Sequence, residues 1–485
     1  MSTTTSAQLA AAEAPVQQLS ATLRKELGLR DLIFAQVVIV MIPDAFGTAA
    51  KAGASHVLFW LLGITLFFIP LTLVVVHLNR LMPLEGGVYE WSRLAFNDRV
   101  GFLTAWNVWL FNAIYCACIG VLTVTFVSYA LGPRMFWLAG NKGIVIAASI
   151  TLIAALLLMA HLGLSVGKWL INVGSAMTQI ALVVLVCMPL FNILRGMHPD
   201  YHPIRLVMPS LNLSNLSVFA KMIFFGLTSF EFVAIFAGEC RDPGRNIARA
   251  SFIAAPVIAF LYILGTASIL AYSSPEAVDL TAPIPQALSK GFHNIPFLSL
   301  LAPLSIVLLL SNYISTYSLQ FSANARLPMV AGWDHLLPAW FTRLHSKYRT
   351  PINSIFFLGG VALAASFAAL VGVGMQETFQ LMQNWAFTFY GVAYLSLFAI
   401  PIFARKDRGI RPALWLRLAA ASGFLFTLLF LLLSVFPIID VASRTAYAVK
   451  MGSVVFGANL FGLVIYRLGS RAATRTTFET SPGAF

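Results

Sequence analysis

The sequence predicts an all-α membrane protein, and three observations support that prediction. Of its 485 residues, 59% are hydrophobic and only 10% are charged. The mean hydropathy of +0.84 lies well outside the range of soluble globular proteins. Runs such as FLFTLLFLLLSVF are apolar on every face, whereas the strands of a membrane β-barrel alternate apolar and polar residues.

The apolar stretches predict twelve transmembrane helices, because a spanning helix needs about 20 largely apolar residues. The predicted spans are residues 31–52, 57–78, 100–131, 143–161, 167–194, 216–238, 250–272, 296–322, 353–373, 378–403, 413–436 and 446–467.

The charge pattern predicts that both termini are cytoplasmic. Residues 1–23 are polar and lack the basic start and apolar core of a cleaved signal peptide, so we expect a disordered cytoplasmic tail. Most lysines and arginines fall in the loops that would share the side of this tail. The formal charge of +13 then reflects topology and contact with anionic lipid, and it gives no reason to expect a nucleic acid partner.

Motifs for catalysis, metals or nucleotides are missing from the sequence. Cys116 and Cys118 are two residues apart and point in different directions on a helix. The stretch GLSVGKW at 163–169 has the wrong glycine spacing for a phosphate loop, and Trp169 stands where that loop needs Ser or Thr. We therefore expect no cofactor, no metal and no enzymatic activity, and we expect transport across the bilayer of the cell membrane.

The first predicted span contains a helix breaker and an acid near its middle. Pro43 removes a backbone donor, Gly47 permits non-helical dihedral angles, and Asp44 places a carboxylate at membrane depth at a cost of about 2.5 to 3.5 kcal/mol. Interrupted backbone at that depth must be covered by protein or line a cavity. The alternative is that Pro43 only kinks the helix and that Asp44 hydrogen-bonds a neighbouring helix.

The sixth predicted span repeats this pattern, with Gly226, Thr228 and Ser229 at its centre and Glu231 close behind. Broken helices at positions one and six predict two five-helix repeats, which must be inverted because five is odd, with a binding site between them. The predicted divisions are 1–23 for the tail, 24–195 and 196–405 for the repeats, 406–470 for helices 11 and 12, and 471–485 for a cytoplasmic tail.

Four passages together resemble the amino acid/polyamine/organocation permease family over most of residues 28–405. They are IPDAFG at 42–47, PLEGGVYEWSRLAF at 83–96, SFEFVAIFAGECRDPGRNI at 229–247 and SANARLPMVAGWDHLLPAWF at 322–341. The resemblance implies a leucine-transporter-type fold, alternating access, and transport of amino acids or related amines by proton symport or exchange.

The resemblance also implies which residues form the substrate site. Many family members carry a glycine-rich run at the first break, whereas this sequence has Asp44, which resembles the aspartate that pairs with the substrate ammonium in amine transporters of the same fold. The other reading is that Asp44 is protonated or paired internally and an amino acid still binds. The expected substrate-binding residues are Pro43, Asp44, Ala45, Phe46, Gly47, Asn112, Tyr115, Phe225, Gly226, Thr228 and Ser229.

Coupling and gating residues are expected from the same comparison. Glu231 matches the family acid that couples protonation to gating, and Trp385 is the expected gate. Ser311, Ser315 and Ser318 share one helix face and either line an ion site or pack between helices. We expect the proton rather than sodium as coupling ion, and a monomer or homodimer. A sensor or subunit of this fold that does not transport is the alternative from another functional class.

Overall fold

The computed structural model describes residues 28–81, 87–162, 167–196, 204, 206–231, 243–292, 300–330, 337, 339–346, 348, 350–403 and 412–479. Within these ranges the chain forms helices and their connections, and no strand. The predicted tail at 1–23 lies outside the described residues.

The longer helices follow the predicted spans along the chain. They are α1 (Leu29–Val40), α2 (Ala45–Ala50), α3 (His56–Gly63), α4 (Ile69–Leu81), α5 (Gly87–Ala95), α6 (Asp98–Ala117), α7 (Ile119–Leu131), α8 (Lys142–Leu162), α9 (Gly167–Leu194), α10 (Leu213–Leu227), α11 (Pro243–Leu270), α12 (Pro283–Gly291), α13 (Leu301–Val330), α14 (Ile352–Leu370), α15 (Met375–Phe403), α16 (Leu414–Leu433) and α17 (Arg444–Glu479). Short helical turns lie at Gly53–Ser55, Pro133–Met135, Trp137–Gly140, Pro275–Ala277 and Ala339–Thr342, and a π-helical segment at Ile64–Phe68 joins α3 to α4.

Nine segments in the described ranges are long and apolar enough to cross a membrane. This agrees with a helical, multi-pass membrane protein. The count of twelve spans stays a prediction, since the first span is divided into α1 and α2, and the fifth and sixth contribute only the shorter apolar segments Thr178–Leu194 and Leu213–Leu227. The last helix continues to Glu479, past residue 470, where we placed the start of the C-terminal tail.

The first predicted span is interrupted in the structure between α1 and α2. Helix α1 ends at Val40, Met41 is extended, and α2 begins at Ala45. Pro43 lies inside the interruption, where it has no backbone N–H to donate.

Gly47 does not open this helix, so that part of the prediction is wrong. It lies within α2, where a Cβ atom would come 3.1 Å from Pro283 Cγ and 3.3 Å from the Leu280 carbonyl oxygen. Gly47 therefore allows the connection before α12 to pack closely against the short helix α2.

The second interruption follows α10. Thr228 is extended, with φ −84° and ψ −176°, and Ser229 has φ 74°. A serine in this left-handed region is uncommon and costs conformational energy, which the surrounding structure must offset. Residues 232–242, which include the rest of the predicted sixth span, lie outside the described residues.

Close contacts between α7 and α8 depend on small side chains. A Cβ atom built on Gly120 would come 1.9 Å from Ser149 Oγ and 2.8 Å from Ser149 Cα. The second distance is to backbone, so a change of rotamer cannot relieve it. Small residues of this kind let membrane helices approach closely.

We expect Gly120→Ala to force α7 and α8 apart and to destabilise the protein by about 1–3 kcal/mol through overpacking. Gly360→Ala in α14 is the matched control, because its Cβ atom meets nothing within 4 Å. Thermal unfolding of the two purified variants in detergent measures the difference. Equal midpoints for both variants would contradict the close α7–α8 contact.

Candidate functional site

Asp44 lies in the first interruption and is 3% exposed. The Tyr115 hydroxyl on α6 donates to Asp44 Oδ2 at 3.0 Å, and the Tyr313 hydroxyl on α13 donates to Asp44 Oδ1. In the described part of the chain, no Lys, Arg or His forms an ion pair with this carboxylate. Its carboxyl group is therefore hydrogen-bonded by two tyrosines and forms no ion pair with these residues.

A third tyrosine stands next to this pair with its hydroxyl free. Tyr317 lies one helical turn from Tyr313, and its ring centroid is 5.3 Å from that of Tyr115. It is 0% exposed, and its hydroxyl finds no hydrogen-bond partner among the described residues. Buried hydroxyls are normally paired, so this group is available to a ligand beside Asp44.

Tyr262 on α11 connects the two interrupted helices. Its hydroxyl accepts from the Ile42 N–H at 3.0 Å. It lies 2.9 Å from the Val40 carbonyl oxygen and 2.9 Å from the Gly226 carbonyl oxygen, to either of which it can donate. The Tyr262 hydroxyl thus hydrogen-bonds backbone groups that have no helical partner, both at the first interruption and at the end of α10.

Glu231 is satisfied in the same way as Asp44. The Tyr390 hydroxyl donates to Oε1 and the Tyr394 hydroxyl donates to Oε2, both from α15. Tyr394 also accepts from the Ser229 N–H at 2.9 Å, which holds the strained residue in place. Each acid in an interrupted helix therefore receives two tyrosine hydroxyls.

Aromatic rings connect the two acids. The Phe111 ring stacks on Tyr390 with centroids 4.2 Å apart and planes at 6°. It also stacks on Tyr115 at 5.8 Å. A continuous series of side-chain contacts therefore connects Asp44 to Glu231 through Tyr115, Phe111 and Tyr390.

The first and second interruptions also pack against each other directly. A Cβ atom on Gly226 would lie 2.7 Å from Trp60 and 3.3 Å from the Ala45 Cβ atom. The Phe46 ring packs against Tyr262 of α11, with centroids 5.1 Å apart. Of the predicted substrate residues in α2, Ala45 therefore lies nearer to α10 and Phe46 packs against α11.

The predicted serine stripe of α13 lies on a different helix face from the tyrosine that reaches Asp44, and its role as an ion or cavity lining stays a prediction. At 100° per residue, Ser311, Ser315 and Ser318 lie roughly opposite Tyr313 and Tyr317. Ser311 and Ser315 donate to carbonyls of their own helix, and Ser318 lies 3.7 Å from Met159 Sδ on α8. The tyrosine face, and not the serine face, reaches Asp44.

Other predicted residues occupy different positions. Asn112 donates to the Val108 carbonyl of its own helix at 3.0 Å. Trp385 donates to the Lys450 carbonyl at 3.3 Å, so its indole faces α17 and gives no support to a gate role. Phe225 does join the aromatic wall, with its ring centroid 4.5 Å from that of Phe387. Thr228 donates to the Phe224 carbonyl at 2.9 Å, which terminates α10.

Sequence reasoning identified Asp44, Glu231 and Tyr115 and missed the other tyrosines. The available signal was a repeated Tyr-x-x-x-Tyr spacing, at 313 and 317 and again at 390 and 394, in two of the predicted spans. Such spacing places both rings of a pair on one helix face.

Comparison with known proteins identifies the family. Residues 28–457 match the family model described as amino acid permease. An uncharacterized transporter of Legionella pneumophila is 24% identical over 395 residues, covering 80% of this chain and 83% of that protein. A probable agmatine/putrescine antiporter of Lactococcus lactis is 25% identical over 240 residues, or 50% of each chain. Asc-type amino acid transporter 1 of Mus musculus is 24% identical over 353 residues, covering 71% of this chain and 62% of that protein.

The helical membrane fold and these relatives define a multi-pass membrane transporter. The chain belongs to the amino acid permease family, within the amino acid/polyamine/organocation transporters, which confirms the resemblance seen in the sequence.

We expect Tyr262→Phe to leave buried backbone groups at both interruptions unsatisfied. The cost is about 1–3 kcal/mol, measured as a lower thermal unfolding midpoint in detergent, with a loss of substrate counterflow in proteoliposomes. Tyr272→Phe is the control, since the Tyr272 hydroxyl accepts from Asn192 Nδ2 at 2.6 Å, away from the interruptions. Normal counterflow in Tyr262→Phe would show that this hydroxyl does not hold the site together.

Proposed function

We propose that the chain moves amino acids or related amines across the membrane by alternating access, and that Asp44 binds the ammonium group of the substrate. The observation that carries this proposal is a buried carboxylate with two tyrosine donors and, among the described residues, no cationic partner. A substrate cation would provide the missing charge.

The backbone of the first interruption also favours an ammonium over a carboxylate at this position. A carboxylate would need free amide N–H groups. The Ala45 and Phe46 N–H groups instead donate to the Ile42 and Pro43 carbonyls at 3.1 and 3.3 Å, and the Ile42 N–H donates to Tyr262. The glycine-rich arrangement that presents bare amides is thus replaced by an acid.

Aromatic faces add to the recognition of a cation. Tyr115, Tyr313 and Tyr317 surround the carboxylate, with the Tyr313 and Tyr317 centroids 6.2 Å apart and Tyr115 next to Tyr317. An ammonium near aromatic rings gains about 0.5–2 kcal/mol from the ring quadrupole. Carboxylate, tyrosine rings and the free Tyr317 hydroxyl therefore suit one primary amine.

Two substrate classes are compatible with this site. Among the relatives, one is named an agmatine/putrescine antiporter and another an amino acid transporter. An amine-selective permease uses Asp44 as the ammonium partner, whereas an ordinary amino acid permease would use Asp44 for structure or proton handling.

Glu231 supports a second part of the proposal, in which its carboxyl group couples transport to the proton. It lies in the second interruption and is held by Tyr390 and Tyr394. We propose that the two interruptions are equivalent elements of inverted five-helix repeats, because each places an acid behind a helix end and each acid receives two tyrosines. Symport and exchange both agree with this arrangement.

The remaining parts of the proposal are twelve spans in the cell membrane, both termini in the cytoplasm, and a monomer or homodimer. A sensor or subunit that does not transport is the competing proposal. Substrate movement by the purified protein alone in liposomes would exclude that alternative.

The test of Asp44 is counterflow in proteoliposomes with putrescine against neutral, acidic and basic amino acids. We expect Asp44→Asn to weaken amine binding about 10- to 100-fold, as for loss of a charge-assisted hydrogen bond. Asp279→Asn is the matched control, since Asp279 also accepts a tyrosine hydroxyl, from Tyr129 at 3.1 Å, in the connection before α12. Amino acid counterflow that persists unchanged in Asp44→Asn would assign Asp44 to structure or proton handling.

For Glu231→Gln we expect counterflow to continue while uphill uptake loses its pH dependence, because the amide cannot carry the proton. Uptake is measured with imposed pH gradients of either sign. Glu377→Gln serves as the control, since Glu377 is a buried acid at the start of α15, away from the interruption. Uphill uptake with an unaltered pH profile in Glu231→Gln would exclude Glu231 as the coupling acid.

A further inference from the structure

Lys221 on α10 is buried and has no acidic partner among the described residues. It is 0% exposed, and its ammonium donates to the carbonyl oxygen of Phe436, just beyond the end of α16. The described ion pairs do not include it. A buried charge is costly unless it is paired, and one carbonyl uses only one of the three N–H donors of the ammonium.

Helical spacing places amide side chains of α15 at about the level of this lysine. Helices α10 and α15 run in the same direction, because Ser217, before Phe225, and Asn384, before Phe387, both contact the end of α16, and Phe225 then meets Phe387 at 4.5 Å. Lys221 precedes Phe225 by four residues, and Gln383 precedes Phe387 by four residues. Lys221 and Gln383 therefore each lie about one turn, or about 5.4 Å, before the contact between Phe225 and Phe387.

Gln380 continues this face of α15 by a further turn. The side-chain amide nitrogens of Gln380 and Gln383, together with the Gln380 side-chain oxygen Oε1, have no hydrogen-bond partner in the described part of the chain, although both residues are buried. Native proteins leave few such groups unpaired, and each calls for an unseen water or ligand. We call Lys221, Gln380 and Gln383 the Lys221 cluster.

Neighbouring contacts hold the Lys221 cluster in position. Asn384 Nδ2 donates to the Tyr447 hydroxyl at 2.5 Å and to the Ser434 carbonyl at 3.3 Å. Ser217 Oγ lies 3.4 Å from the Leu433 carbonyl. The end of α16 thus accepts hydrogen bonds from both α10 and α15 and holds the two helices at a fixed separation.

We propose that the Lys221 cluster binds a small anion, either a carboxylate or chloride. The cluster presents one ammonium and two amide donors, and donors of this kind bind anions by charge-assisted hydrogen bonds. The Phe225 and Phe387 rings lie between it and the tyrosines around Asp44. The cluster is therefore a second position with the opposite charge preference. The chloride case does not depend on the role of Asp44, whereas the carboxylate case rests on the proposed transport of amino acids.

The first experiment is thermal unfolding of the purified protein without substrate, in sodium gluconate, chloride or formate at constant ionic strength and pH. An anion that binds the folded state raises the unfolding midpoint saturably. We expect chloride or formate to do so in the wild type and in Lys221→Arg, and not in Lys221→Met. Lys142→Met is the matched control, because Lys142 also donates to a carbonyl at a helix end, Leu370 at 3.2 Å, but is exposed.

The second experiment distinguishes the two sources of the anion. Counterflow KM values are compared for an amino acid and for the amine that lacks its carboxylate. If the substrate carboxylate is the ligand, Lys221→Met raises KM for the amino acid about 10- to 100-fold and leaves the amine unchanged. If chloride is the ligand, removal of chloride alters the wild type for both substrates.

The proposal is overturned if no anion stabilises the wild type and the amino acid KM is the same in Lys221→Met. It is also overturned if the anion effect persists in Lys221→Met. Should Lys221→Met fail to fold, the wild-type salt series together with Lys221→Arg still decides whether an anion binds.

Discussion

The structure around the site depends on hydrogen bonds from buried tyrosines to groups that the interrupted helices leave unsatisfied. A helix that stops at membrane depth has no water to satisfy its backbone, so protein must supply the partners. Tyr262 supplies them to both interruptions at once. Tyrosine suits this task because its ring fills apolar space and its hydroxyl both accepts and donates.

Tyrosines satisfy the two acids without neutralising them. An arginine or lysine beside Asp44 would complete an internal ion pair and leave little reason for a cation to bind. Hydroxyls hold the carboxylate in one orientation and leave its charge available, and the adjoining rings present negative faces to a cation. The Phe111 ring stacks on both Tyr115 and Tyr390, so one tyrosine of each acid contacts the same ring.

Much of the fold could be predicted from apolar runs, because a spanning helix is defined by length and hydropathy. Pro43 identified the first interruption correctly, since its missing N–H cannot continue the helical hydrogen bonds, although the sequence alone left a kinked helix as the alternative. Gly47 was misread because glycine serves both flexible backbone and close packing, and the sequence does not show Pro283 beside it. The serines of α13 were preferred over its tyrosines because spacing shows which residues share a face but not which face turns inward.

Groups of opposite charge preference lie on the two sides of the contact between Phe225 of α10 and Phe387 of α15. The tyrosine-held acids lie on one side of the Phe225 and Phe387 rings, and Lys221 lies one turn away on the other side. A zwitterionic substrate that passed between these rings would meet donors for its carboxylate and an acceptor for its ammonium at different depths. A simple amine has no carboxylate and would use only the acceptor for its ammonium group. The position of the aromatic contact between the two levels would thus let one pathway treat amino acids and amines differently, without any change at Asp44.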